Sequence, residues 1–211
     1  MHLEEILLEK LGEHTPENVE ELVIDGLINE PFLTEENKNV LDHYNNFVHL
    51  SMNELGLTQL INFPKLPHLQ ILELKKNKLK GHDLHLITEL YPKLYKLKLT
   101  NNMIDNINLL KPINNSNIEK IEIIGNPFIK TKKYRSEVFD LLHNIVIVDG
   151  EIKTGQDIDT TDYDEEDEEE GESSELYSQS YDRDEGEDDE DEDDFDEYQY
   201  GRKHSSKHKA Y

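Results

Sequence analysis

Cysteine and tryptophan are absent from the 211 residues, and methionine occurs only three times. Without thiols the chain can build no disulfide framework, no thiolate zinc site and no cysteine nucleophile, and its composition agrees with a reducing compartment. Long hydrophobic runs are lacking too. No stretch approaches the roughly 18 apolar residues of a membrane helix, and the opening Met1-His2-Leu3-Glu4-Glu5-Ile6-Leu7-Leu8-Glu9-Lys10 alternates charge with aliphatics. Neither a secretory signal nor a membrane span is expected.

Positive charge is scarce: 22 Lys and Arg stand against 48 Asp and Glu, a formal net charge of −26. A field of that sign repels phosphate, so direct contact with nucleic acid or an anionic membrane is not expected, and the expected partner is basic. The imbalance is uneven. Residues 1–150 hold 22 acids and 16 bases, whereas residues 151–211 hold 26 acids and 6 bases. The first part is long enough for one compact domain. The second has too few aliphatics to offset the entropy of ordering. The sequence therefore predicts a folded domain over 1–150 and a disordered acidic tail over 151–211, ending in a short basic segment.

Catalytic signatures are lacking as well. There is no phosphate-cradling glycine loop, no G-x-S-x-G and no zinc-protease helix motif, so neither enzyme activity nor a cofactor is expected. His82 with His85 and His204 with His208 have metal-like spacing, but loop polarity and tail solubility explain them better. The run from Asp182 to Asp194 places Gly186 one position too early for a calcium loop.

What is present is a repeat. Leu69, Leu72, Leu74, Asn77 and Leu79 spell L-x-x-L-x-L-x-x-N-x-L; Leu94, Leu97, Leu99, Asn102 and Ile104 repeat it, and Ile118, Ile121, Ile123, Asn126 and Phe128 do so again. Looser copies at Val19, Leu22, Ile24 and Leu27, and at Phe47, Leu50, Met52 and Leu55, put Leu in place of the Asn. The fourth positions, 22, 50, 72, 97, 121 and 148, are 22 to 28 residues apart, the length of leucine-rich repeats. Each L-x-L sets two apolar side chains on one face of a short strand, and stacking the strands in parallel buries them in a continuous core. The expected fold is an α/β leucine-rich-repeat solenoid with a parallel concave sheet and helical N- and C-terminal caps. Asn77, Asn102 and Asn126 are expected to turn inward and form a ladder of backbone hydrogen bonds. Leu84, Ile87 and Leu90 suit a convex helical turn. Residues 2–12 read as a capping helix stopped by Gly12, and a helix around Val138, Leu141 and Leu142 feeds a last strand, Ile145–Val148, closed by Asp149-Gly150.

The segment Thr15–Asp25, Gly56-Leu57-Thr58, Pro64-Lys65-Leu66, the cap Tyr134-Arg135-Ser136-Glu137-Val138-Phe139 with Val148-Asp149-Gly150, and the acidic tail together resemble the acidic leucine-rich nuclear phosphoprotein family. His143 stands where that family's cap usually has Pro. The resemblance implies a nuclear histone chaperone and chromatin regulator, possible shuttling to the cytoplasm, phosphorylation, and control of a protein phosphatase or of acetyltransferase action on histones. Gly125-Asn126-Pro127, Lys132-Lys133 and Tyr134-Arg135 are also similar to the A-prime subunit of a spliceosomal ribonucleoprotein, a scaffold for a protein partner. That subunit's extension is basic, opposite in sign to this one.

Two surfaces are candidates for function. In the tail, Tyr163, Tyr177, Tyr181, Phe195, Tyr198 and Tyr200 interrupt the acids, and a purely solvating tail has little use for rings. Asp194, Phe195, Asp196, Glu197 and Tyr198 resemble the short acidic-aromatic motifs with which histone chaperones anchor on core histones, the ring supplying position and the carboxylates attraction. Gly201–Lys209 reverses the sign and could serve nuclear import, and Thr161 with Asp164 is an acidophilic-kinase pattern. On the domain, the third, fifth and seventh repeat positions face away from the core. They bring Lys75, Lys96, Lys98 and Lys120 together as a basic centre onto which the tail could fold, the chain being expected to remain a monomer.

Overall fold

The structure of the chain, a computed structural model, describes residues 3–12 and 15–156. The chain divides into two units, Met1–Glu166 and Asp167–Tyr211, and every described residue lies in the first. Helix α1 (Leu3–Leu11) precedes strand β1 (Glu21–Val23), helix α2 (Glu35–Leu41) and strands β2 (His49–Ser51) and β3 (Ile71–Glu73). Helix α3 (Leu84–Leu90), strands β4 (Lys96–Lys98) and β5 (Lys120–Glu122), helix α4 (Tyr134–Leu141), and strands β6 (Ile147–Val148) and β7 (Glu151–Ile152) complete the order. The seven strands form one sheet in sequence order, parallel from β1 to β6.

Register follows the repeat. Leu22, Leu50, Leu72, Leu97, Ile121 and Val148 are partners from strand to strand, and all are buried, as are Ile24, Met52, Leu74, Leu99 and Ile123 two positions on. Period-2 alternation puts each pair on one side of its strand, so these residues make two continuous apolar files. The Asn ladder runs beside them. Asn102 Nδ2 donates to Leu74 O at 2.8 Å and Leu99 O at 3.0 Å, and its Oδ1 accepts from Leu79 N at 3.0 Å. Asn77 reaches Met52 O and Leu74 O in the same way, and Asn126 reaches Leu99 O and Ile123 O. Each Asn thus ties its own turn to the preceding repeat.

The convex side is more varied than the periodicity predicts. The turn at Leu84, Ile87 and Leu90 is α3, with Leu84 and Ile87 buried. The equivalent stretch one repeat later, Ile107–Asn115, is a 3-10 helix containing Pro112, which has no N–H to give to an α-helical ladder. Helix α2 has no counterpart among the expected elements. It starts from a reciprocal cap in which Thr34 Oγ1 accepts from Asn37 N and Asn37 Oδ1 accepts from Thr34 N.

The N-terminal cap is α1, with Leu3, Ile6 and Leu7 buried and Gly12 following it at φ +56°. At the other end the sheet runs past Gly150, the residue at which the sequence closes the domain. Asp149 and Gly150, both with positive φ, form a two-residue turn, and β7 then pairs antiparallel with β6, Val148 opposite Glu151 and Ile147 opposite Ile152. Asp-Gly is a preferred pair for such a primed hairpin turn. The last strand is correspondingly short, Ile147–Val148 rather than Ile145–Val148.

Candidate functional site: the concave face

Three rows of side chains cover the open face of the sheet, one from each repeat position that points away from the core. The register aligns Glu21, His49, Ile71, Lys96 and Lys120 in one row and Val23, Ser51, Glu73, Lys98 and Glu122 in the next. The third row holds Asp25, Asn53, Lys75, Thr100 and Ile124, two residues further along each copy. All four lysines expected here do lie on or beside the central strands. They do not make a plain basic centre, because an acid sits among them.

That acid is Glu73, whose residue is only 4% exposed. Its Oε1 takes Lys98 Nζ at 2.9 Å and lies 3.2 Å from His49 Nε2. Its Oε2 takes Lys75 Nζ at 3.0 Å and Asn53 Nδ2 at 3.3 Å. Burial by itself would push the carboxyl up, but hydrogen bonds from His49, Lys98 and Lys75 outweigh it and hold Glu73 well below the usual carboxylate range. His49 is held above its ordinary value, first by its hydrogen bond to Glu73, with burial opposing and the Glu21 carboxylate, 2.9 Å from Nδ1, assisting. Glu122 behaves oppositely. Burial raises it, and the charges of Lys98, Lys96 and Lys75 only partly compensate. Lys120 places its ammonium 5.7 Å from the centroid of Tyr95, a ring that strand parity alone excludes from this face.

A second cluster, which the three strict repeats do not reveal, joins β1 and β2. Asp25 Oδ1 accepts from Ser51 Oγ and from Asn53 N, both at 2.8 Å, while Oδ2 accepts from Asn53 Nδ2 at 2.8 Å. Asn53 Oδ1 in turn accepts from Lys75 N at 2.6 Å. The two clusters are one network through Asn53 and Glu73. Its signal in the sequence is the polar Ser51 and Asn53 at the fifth and seventh positions of a loose copy, readable once that copy is aligned with the strict ones. Among the described residues no group of three His, Asp or Glu is arranged to hold a metal.

Comparison with known proteins agrees with this architecture. Residues 32–168 match the leucine-rich repeat family. The chain belongs to that family. This leucine-rich-repeat chain is 33% identical over 153 residues to an acidic leucine-rich nuclear phosphoprotein 32-related protein of Plasmodium falciparum, covering 72% of this chain and 54% of that one. It is 34% identical over 110 residues to acidic leucine-rich nuclear phosphoprotein 32 family member A of Drosophila melanogaster, covering 52% and 41%. It therefore spans about half or less of the length of these curated relatives. Among solved structures, the Drosophila melanogaster SNF/U2A' complex contains a chain with the same fold, at TM-score 0.52 and 24% identity, covering 67% of this chain and 76% of that one.

The repeats end in a cap that uses the four residues singled out in the sequence. Asp149 Oδ1 accepts from Ile123 N at 2.7 Å and Ile124 N at 3.1 Å, and its Oδ2 accepts from Tyr134 Oη at 2.7 Å. Arg135 lies over the Tyr134 ring and pairs with Glu151 at 2.8 Å, while Gly150 supplies the left-handed turn residue. Burial and the Asp149 carboxylate push the Tyr134 hydroxyl well above its ordinary range, so it stays a donor. Tyr134→Phe should then cost about 1.5 to 3 kcal/mol, the worth of a hydrogen bond to a charged group. Urea unfolding would read this as a lower midpoint at constant slope, and an unchanged midpoint would remove Tyr134 from the cap. The tail positions Asp194, Phe195, Asp196, Glu197 and Tyr198, the pair His204 and His208, Thr161 and the segment Gly201–Lys209 lie outside the described residues.

Proposed function

We propose that this chain is a non-enzymatic nuclear protein that binds and shields core histones, with the repeat domain as scaffold and residues 151–211 as the ligand surface. The observation that carries the reading is the composition of that segment, 26 acids against 6 bases with aromatic rings set among them. A dense polyanion competes for the surface that nucleic acid covers on a histone, and binding releases counterions from both partners. The relatives' printed names, acidic and nuclear, support the same compartment and partner charge. The concave network supports the scaffold half, since its ordered polar face suits a folded protein partner.

The test compares the full chain with a version ending after Gln156, a boundary that keeps β7 on the sheet. Affinity for purified core histones should reside in the removed segment and fall steeply as salt rises. Replacing Phe195 and Tyr198 together by Ala leaves the charge unchanged, and should weaken binding by about 1 to 3 kcal/mol per buried ring. Equal affinity of the double variant would make the segment a plain polyanion. Histone affinity retained in full by residues 1–156 would move the function to the concave face, the spliceosomal-scaffold alternative.

A further inference from the structure

The outer side of a solenoid cap ordinarily faces water with polar residues. Helix α1 breaks that pattern at Leu8, which is 71% exposed, more than any other exposed large hydrophobic among the described residues. Glu4, Leu8 and Gly12 fall at i, i+4 and i+8, one stripe along α1. Glu36, Asn39, Val40, His43 and Tyr44 fall at i, i+3, i+4, i+7 and i+8, one stripe along α2 and the turn after it. With Leu7 and Pro16 these two stripes line an open groove of about 650 Å³, within the range of sites that take a ligand or a turn of peptide.

The lining says what would fit. Leu8, Pro16, Val40 and Tyr44 supply an apolar surface over the buried Leu7, and at Gly12 there is open space, because a Cβ built there meets nothing within 4 Å. Among the described lining residues the charged ones are Glu4 and Glu36, and none is Lys or Arg. The nearby Lys38 is engaged by Asp42, and His43 is bonded to Asn39 O through Nδ1 at 2.6 Å. A second copy of this chain would bring the same carboxylates to the contact and be repelled. We infer that the groove between α1 and α2 docks a basic amphipathic segment of a partner protein, apolar side chains one helical turn apart seated on Leu8 and Val40 and flanking Lys or Arg residues meeting Glu4 and Glu36.

The experiment is a methyl-detected NMR titration of the full chain with a short synthetic helical peptide whose leucines repeat at i, i+3 and i+7 among lysines. The methyl signals of Leu7, Leu8 and Val40 should shift, and Leu8→Gln should weaken the peptide by about tenfold. Leu8 is exposed enough that this variant keeps its fold. A peptide with serine for leucine has the same charge and reports attraction to the acidic segment alone; it should leave those methyls in place. The double change Glu4→Gln and Glu36→Gln should remove part of the salt dependence. Unmoved methyls, equal affinity of Leu8→Gln and wild type, or the same shifts with the serine peptide would overturn the assignment. So would movement of these methyls on deleting residues 201–211, which would make the chain's own basic segment the occupant.

Discussion

Glu73→Gln should destabilise the repeat domain by about 3 to 5 kcal/mol, the cost of removing one member of a buried charge network. The reason is the charge left behind. The Lys98 side chain, 14% exposed, and His49 beside it lose the carboxylate that both face, while Lys75 loses its partner on the other oxygen. An amide of the same shape offers a single acceptor oxygen where the carboxylate has two. Guanidinium unfolding measures the loss, and Glu73→Leu combined with Lys98→Met should recover part of it by removing both charges at once. A loss below about 1 kcal/mol would place the network with ordinary solvated ion pairs.

The same substitution should change the pH dependence. Glu73 is held below its ordinary 4.5, so its stabilisation is complete above that value and is lost as pH falls through the lower folded value. His49 is held above its ordinary 6.5, so its contribution is complete below 6.5 and is lost as pH rises through the higher folded value. Wild-type stability should therefore decline on the alkaline side of 6.5, and the decline should shrink in Glu73→Gln. A stability curve of the same shape in both proteins would mean that His49 does not draw its proton affinity from Glu73.

The repeat made most of the scaffold legible, because a strict L-x-L alternation fixes which side of each strand is buried, and six aligned copies fix the register. It also fixed which residues lie on the concave face. What it did not convey was the arrangement among them. Glu73 and Glu122 stand at the fifth positions of strict copies, among Lys75, Lys96, Lys98 and Lys120, so the acids were in the alignment and the lysines still read as a basic centre because periodicity does not convey burial. The partners that enclose Glu73, His49 and Asn53, come from the loose copy, and its ion pairs with Lys75 and Lys98 show only in the structure. The consequence is functional: a centre compensated by Glu73 attracts an acidic segment less than four lysines in isolation would. The convex connections were less legible because nothing in the repeat sets their register. Helix α2 depends on the local Thr34 and Asn37 cap, the 3-10 segment on Pro112, and the groove beside Leu8 on two helices whose faces the repeat does not relate. At the end of the domain the Asp149-Gly150 pair was visible, but its meaning was a hairpin turn into β7 rather than a stop.

The ladder yields the second large effect. Asn102→Ala should cost about 3 kcal/mol in the same unfolding experiment, because Leu79 N–H loses its acceptor inside the core and a small cavity remains. The two carbonyls closest to Asn102 Nδ2, Leu74 O and Leu99 O, are in a different position. Leu74 O also accepts from Asn77 Nδ2 at 3.1 Å, and Leu99 O also accepts from Asn126 Nδ2 at 2.9 Å. Each carbonyl therefore keeps one donor when Asn102 is lost and has no ladder donor when both of its Asn neighbours are lost. Asn102→Ala and Asn126→Ala together should exceed the sum of the single changes by about 0.5 to 3 kcal/mol, the range for residues that share a partner. Asn77 and Asn126 share no carbonyl, so their double variant should be additive within about 0.5 kcal/mol. Asn102→Asp should be worse than Asn102→Ala, since a carboxylate has no hydrogen to give to either carbonyl and would be buried with its charge. Additivity in the 102 and 126 pair would mean that the ladder is a set of independent caps, one per repeat, rather than a chain that couples each turn to the next.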